Sequence, residues 1–371
     1  MASRSGLGSV ASVGGKQRPV KDGGGSGVQS EGPQPGVKRA DIQWLRALAV
    51  TLVVLYHAAP GVVPGGYVGV DIFFVISGFL ITSGLIKRPP LGWRGLTDFW
   101  ARRIRRLLPA AFLVIVVTSV AAYWFGPSTQ WLATLRSGVA SALYVQNWNL
   151  WKIGANYLSA DAAPTLFQHF WSLSIEEQFY VVWPVLILLA VLLGKRLGLR
   201  PGGPVLGAVL GVLVVSLAAS ILATPGHATE AYYVTPTRVW ELAAGGLLAS
   251  CYPMVGRWVD GRGYLRWMLL VTGVTAMLGS AFVFDDATVF PGYAALLPVS
   301  GAVLFIWANA PDVGGSGGRV FLGRFWGFRP VQYLGDISYS VYLWHWPVIL
   351  FTGYVFRKMS GLSWWQALLA V

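Results

Sequence analysis

The sequence predicts an all-α, polytopic transmembrane helix bundle of about ten spans, and three observations carry that expectation. Of the 371 residues, 55% are hydrophobic and 12% are charged, and the mean hydropathy is +0.57, more apolar than a soluble domain of this length needs. Several stretches exceed the roughly 18 to 20 apolar residues that cross a bilayer as a helix, and none shows the period-2 alternation of a barrel. Lysine and arginine, finally, concentrate in alternate loops, as the positive-inside rule requires.

Residues 1–40 are rich in Gly and Ser, carry Lys16, Arg18, Lys21, Lys38 and Arg39, and contain no apolar run. They read as a disordered, basic, cytoplasmic tail and not as a cleaved leader. The transmembrane domain, 41–371, has candidate spans at 41–60, 67–86, 107–125, 170–194, 203–224, 231–252, 265–283, 288–309 and 333–352, and a tenth begins at SWWQALLAV, where the sequence stops. With the tail inside, the inner segments hold 22 Lys and Arg, the outer loops hold four (Arg136, Lys152, Arg357 and Lys358), and Arg46 and Arg238 lie within spans. The net charge of +13 is therefore a topology signal that calls for no nucleic acid. Segment 137–152, SGVASALYVQNWNLWK, is helix-like but short and interrupted by Gln146, Asn147 and Asn149. A full crossing there would invert every later loop, so it is expected to be an outer interfacial or re-entrant element. The single cysteine, Cys251, lies in an apolar segment and provides neither an internal disulfide nor a thiolate cluster.

Arg46 and His57 are eleven residues apart in the first span, about three helical turns, so they share a face and stand about 16 Å apart along the axis. Arg46 has a plain reading as a snorkelling cation near the inner boundary. A titratable imidazole within a span costs more, and His57 is a candidate functional group by default. Asp71 enters the second span through the short turn 61–66 that follows His57. It is expected either to orient that imidazole as the third member of a triad or to serve as a helix-start carboxylate. In FQHFWSLSIEEQFYVVWP, Ser172, Glu176 and Tyr180 fall on one face, which makes Glu176, and not Glu177, the expected inward acid beside His57. Arg103 and Arg106 in RRIRRLLP also share a face, suited to a phosphate site as well as to membrane anchoring. The aromatic residues Trp131, Trp148, Trp151 and Tyr157 of the 126–169 segment suit either a sugar surface or an interfacial belt.

These pieces together resemble the acyltransferase-3 family of integral-membrane acyltransferases. The matching motifs are the Arg-x10-His spacing of Arg46 and His57, YVGVDIFFVISGFLIT, the Arg-x-x-Arg pair Arg103 and Arg106, WSLSIEEQFY, and ISYSVYLWHWPV, in that order. The resemblance covers residues 40–371. It implies transfer of an acyl group, often acetyl, from cytoplasmic acyl-CoA to a hydroxyl of an extracytoplasmic or lipid-linked glycan, in the cell membrane and without a metal. It also implies that His57 and Glu176 are catalytic, assisted by Asp71, and that Arg46, Arg103 and Arg106 serve the donor. Tyr180, Trp171 and His345 are the candidate acceptor contacts. Many relatives with this ending continue into an SGNH-type hydrolase-like domain, so such a domain is expected as a missing C-terminal part. A proton-coupled transporter, with His57, Asp71 and Glu176 as the relay, and a non-catalytic membrane scaffold are the competing classes.

Overall fold

The computed structural model describes residues 39–90, 92–126, 128–154, 165–199, 202–310 and 322–357. The tail 1–38, Tyr157 and the expected tenth span lie outside them. Within them the chain is helical: α1 (Ala40–Ala58), α2 (Gly69–Lys87), α3 (Gly92–Phe125), α4 (Trp131–Ala142), α5 (Gln146–Lys152), α6 (Phe170–Arg196), α7 (Gly203–Tyr233), α8 (Thr235–Val259), α9 (Gly263–Val283), α10 (Leu296–Ala308), α11 (Gly323–Trp326) and α12 (Arg329–Arg357). Among the described residues, five helices are long and apolar enough to cross a membrane: α2 with the 3-10 turn before it, α3, α6, α7 and α9. The chain is a membrane protein. Of the other expected spans, α1, α8 and α12 carry Arg46, Arg238 with Glu241, and Asp336, while α10 has only 13 residues.

Three boundaries differ from the sequence expectation, each for a local reason. The basic run RRIRRLLP is the first half of α3, because Pro109 is accommodated inside a 34-residue helix. The expected break after residue 224 is a kink at His227 (φ −144, ψ 51), next to Pro225 and Gly226, and α7 continues to Tyr233. Segment 137–152 becomes two helices, α4 of 12 residues and α5 of 7, joined through Tyr144 at φ 52. Of its interrupting polar residues, Gln146 and Asn147 are buried and Asn149 is half-buried, and all are paired: Gln146 Nε2 donates to Ser137 Oγ at 2.6 Å, Asn147 Nδ2 to the Tyr233 carbonyl at 3.1 Å, and Asn149 Nδ2 to Gln146 Oε1 at 3.2 Å. Neither piece is long enough to cross a bilayer.

Close backbone approach assembles the bundle. A Cβ on Gly78 would strike the Leu242 carbonyl, and one on Gly245 would strike the Val75 carbonyl, so α2 and α8 meet through two glycines. A Cβ on Gly335 would likewise strike the Gln43 carbonyl, which lets the start of α12 lie beside the start of α1. Further along, His345 of α12 meets His57 of α1, so these two helices run parallel. Where α1 begins, Arg39 binds Asp41, Tyr252 Oη and the Asn309 carbonyl, tying α1 to α8 and α10. Burial works against the Arg39 charge, but the Asp41 carboxylate outweighs it and holds the guanidinium above its ordinary range.

Candidate active site

A cavity of about 240 Å³ lies among α1, α2, α3, α6 and α12, and its polar wall includes Arg46, Ser77, Arg103, Arg106, Glu176 and Tyr180. The four-residue spacing on α6 does turn Glu176 and Tyr180 to one side, where Ser77 Oγ donates to Glu176 Oε1 at 2.5 Å and Tyr180 Oη donates to Ser77 Oγ at 3.1 Å. The Arg103 guanidinium lies 4.3 Å from the Tyr180 ring centroid, a cation–π contact that aims it inward. Trp100 Nε1 donates to the Tyr180 carbonyl at 3.1 Å and fixes α3 against α6. Arg46 Nη1 donates to Gln43 Oε1 at 3.1 Å, and Gln43 is bonded in turn to Asp336 of α12. Arg106 is exposed to solvent while lining the cavity, which marks the opening. Three guanidiniums, Arg46, Arg103 and Arg106, and three carboxylates, Glu176, Glu177 and Asp336, therefore line one void, so that Glu177, expected to point away, shares the wall with Glu176, and the guanidinium forks suit phosphate oxygens.

His57 is not on the wall of this cavity. It is partly accessible near the end of α1, and its Nδ1 lies 3.0 Å from His345 Nε2. The His57 ring also packs edge-on against Trp346 with centroids 4.6 Å apart. His345 Nδ1 lies 2.6 Å from the Tyr342 carbonyl, and His169 Nε2 lies 3.1 Å from the Leu343 carbonyl. Ser172 Oγ and Tyr342 Oη, 2.5 Å apart, line the cavity on its near side, so one turn of α12 separates the arginine cavity from the histidines. Among the described residues, no three His, Cys, Asp or Glu side chains are arranged to hold a metal ion.

Of the two expectations for Asp71, the structure shows the helix-start carboxylate, in the first turn of α2, and not the partner of His57. Its carboxylate pairs with Arg238 of α8, Oδ1 to Nη2 at 3.2 Å, and Arg238 Nη1 lies 3.0 Å from Glu241 Oε1. All three side chains are fully buried. The Arg238 guanidinium is surrounded by Phe74, Trp171, Tyr232 and Phe290, with ring centroids 5.3–5.7 Å away. A guanidinium three helical positions from a carboxylate attracts Asp71 more strongly than a neutral imidazole does. Trp171, expected at the acceptor, is instead a wall of this cage and has no exposed surface. The signal missed in the sequence was the i,i+3 pair Arg238 and Glu241 inside a span, and His169 was missed altogether. His57, Asp71 and Glu176 thus bond to His345, Arg238 and Ser77 respectively. Of the aromatic residues in the outer segment, Trp148 donates to Gln178 Oε1 at 3.3 Å and lines a shallow groove with Arg136 and Lys152.

The profile of the acyltransferase domain family matches residues 39–371. The chain is 32% identical over 344 residues to the peptidoglycan O-acetyltransferase OatA of Listeria monocytogenes, covering 89% of this chain and 52% of that protein. It is 33% identical over 315 residues to the O-acetyltransferase OatA of Staphylococcus aureus, covering 83% of this chain and 50% of that protein. The chain spans about half the length of these relatives. No solved structure matches it.

Proposed function

Given that this chain belongs to the acyltransferase domain family, we propose that it is the transmembrane part of an O-acyltransferase, moving an acetyl group from acetyl-CoA on the cytoplasmic side to a hydroxyl of a cell-envelope glycan. The observation that carries this reading is the cavity lined by Arg46, Arg103, Arg106 and Glu176, whose Tyr342 side stands one turn of α12 from His345, the contact of His57. The bundle crosses the cell membrane about ten times with its N-terminus inside, so Arg103 and Arg106 stand on the donor side. Peptidoglycan is the acceptor we favour, because it is named for the Listeria relative. An SGNH-type domain following this chain would be its partner on the outer side.

The cavity suits one end of the donor. Its volume of about 240 Å³ lies below the roughly 300–1,000 Å³ of pockets that enclose a whole drug-sized ligand. It would take the acyl-bearing arm, leaving the phosphates to the arginines at the opening. Glu176, fixed on the wall by Ser77, balances the three cations together with Glu177 and Asp336 when the site is empty. His57 acts as the base at the outer end, next to His345. The acceptor hydroxyl attacks the thioester carbonyl, a C–O bond forms as the C–S bond breaks, the hydroxyl proton passes to His57, and the coenzyme A thiolate leaves into the cationic cavity.

The test is transfer of labelled acetyl from acetyl-CoA to envelope glycan in membranes carrying the full-length protein, with His57→Ala and Glu176→Ala beside the wild type. Both variants should lose about 10²-fold or more of the rate. Equal labelling in all three would end the assignment.

A further inference from the structure

The proposed base needs its proton held at one nitrogen, and Asp71, the expected holder, is bonded to Arg238. Hydrogen-bond logic along α12 identifies another. Pro347 lies inside α12 and has no backbone N–H, so the Leu343 carbonyl one turn earlier lacks its helical donor. His169 Nε2 fills that position at 3.1 Å. In the same turn, His345 Nδ1 lies 2.6 Å from the Tyr342 carbonyl. A carbonyl only accepts, so His345 carries its proton on Nδ1, and in the neutral ring its Nε2 is a lone pair. That lone pair lies 3.0 Å from His57 Nδ1, which must therefore be the donor. A neutral His57 with its proton on Nδ1 has its basic lone pair on Nε2.

We propose that His345 is a positioning residue for the acyl-transfer base: it accepts the His57 Nδ1 proton, fixes the tautomer, and leaves His57 Nε2 to take the acceptor proton. This rests on the reading of His57 as the base. The turn that carries it is rigid. Tyr342 Oη donates to the His169 carbonyl at 3.2 Å and lies 2.5 Å from Ser172 Oγ, and His345 is 1% exposed. A carboxylate in this place would add negative charge, whereas an imidazole held by a carbonyl supplies only direction. As His57 gains the acceptor proton, the same contact becomes a charge-assisted hydrogen bond, stronger in the transition state than before it. The sequence WHWP thereby joins two functions, because the proline frees the carbonyl that His169 takes and His345, two residues earlier, sets the base.

The experiment uses the full chain labelled with ¹⁵N-histidine in lipid. There are four histidines, so single replacements assign the signals. Wild-type His57 should be protonated at Nδ1 and unprotonated at Nε2. His345→Gln, whose amide oxygen still accepts, should keep that tautomer and transfer acetyl within about tenfold of wild type. His345→Leu, which offers no acceptor, should show His57 also protonated at Nε2 and a kcat lower by about 10²- to 10⁴-fold, with the acetyl-CoA KM unchanged. The proposal is overturned if wild-type His57 carries its proton on Nε2, or if His345→Leu transfers at the wild-type rate. The Val53 carbonyl one turn earlier on α1 also bonds His57, so the wild-type spectrum can overturn the proposal, and the contrast of His345→Gln with His345→Leu is what supports it. An active His57→Ala protein would instead overturn the reading of His57 as the base.

Discussion

The Arg238 group and the Arg46–Arg103 group of this bundle differ in what surrounds them. Arg238, with Asp71 and Glu241, is enclosed by four aromatic rings and has no exposed surface. Arg46 and Arg103 share a wall with Glu176, but that wall faces a cavity, and exposed Arg106 marks its opening. In an apolar medium, an ionised group must have a partner, and in the first group Arg238 pairs with both carboxylates, although Asp71 Oδ2, Arg238 Nε and Glu241 Oε2 make no hydrogen bond among the described residues. In the second, three cations line a void together with the carboxylates of Glu176, Glu177 and Asp336. The closed group joins α2 to α8, and the open one keeps binding capacity for an anion. Charge inside a span is thus not by itself a sign of chemistry; a charge that faces space is.

The largest effect should come from opening the closed group. Arg238→Ala leaves Asp71 and Glu241 buried without their cation, which should cost about 3–5 kcal/mol and lower the unfolding temperature in detergent sharply. A variant as stable as wild type would erase the contrast between the two groups. A smaller loss is expected from the seam beside it. In Gly78→Ala, the new methyl would strike the Leu242 carbonyl, which is backbone and cannot turn aside. Pushing α2 from α8 there should cost about 1–3 kcal/mol, read as a lower unfolding temperature with donor affinity retained. Lost donor affinity in a folded Gly78→Ala protein would mean that the seam belongs to the binding site.

Much of this arrangement could be read from the sequence because helical periodicity acts within one element. Ser172, Glu176 and Tyr180 were assigned one face by spacing alone, and Glu176 and Tyr180 do meet at Ser77. The family resemblance, and not spacing, put Arg46 with Arg103 and Arg106, and all three line one cavity. What spacing did not provide was the partner across helices. Asp71 is close to His57 in sequence, and the short turn 61–66 made a pairing plausible. Its actual partner, Arg238, is 167 residues away. His345 is 288 residues from His57, and nothing in either local stretch specifies that α1 and α12 run side by side. Helix ends were least legible near prolines, since the span expected to stop at 224, before Pro225, runs on to Tyr233, and the span expected to start at 107, just before Pro109, starts at Gly92. An apolar surrounding keeps the helix intact on either side of a proline, where water would compete for the freed carbonyl.

The central claim is that the open group binds the donor and the closed group does not. Coenzyme A binding to the purified full chain tests it most directly, with Arg103→Ala and Glu241→Gln measured beside the wild type. Arg103→Ala should bind about tenfold or more weakly, a loss of about 1.4 kcal/mol or more, at a nearly unchanged unfolding temperature, while folded Glu241→Gln should bind as wild type does. Equal affinity in wild type and Arg103→Ala, or a loss in folded Glu241→Gln as large as that in Arg103→Ala, would contradict the account.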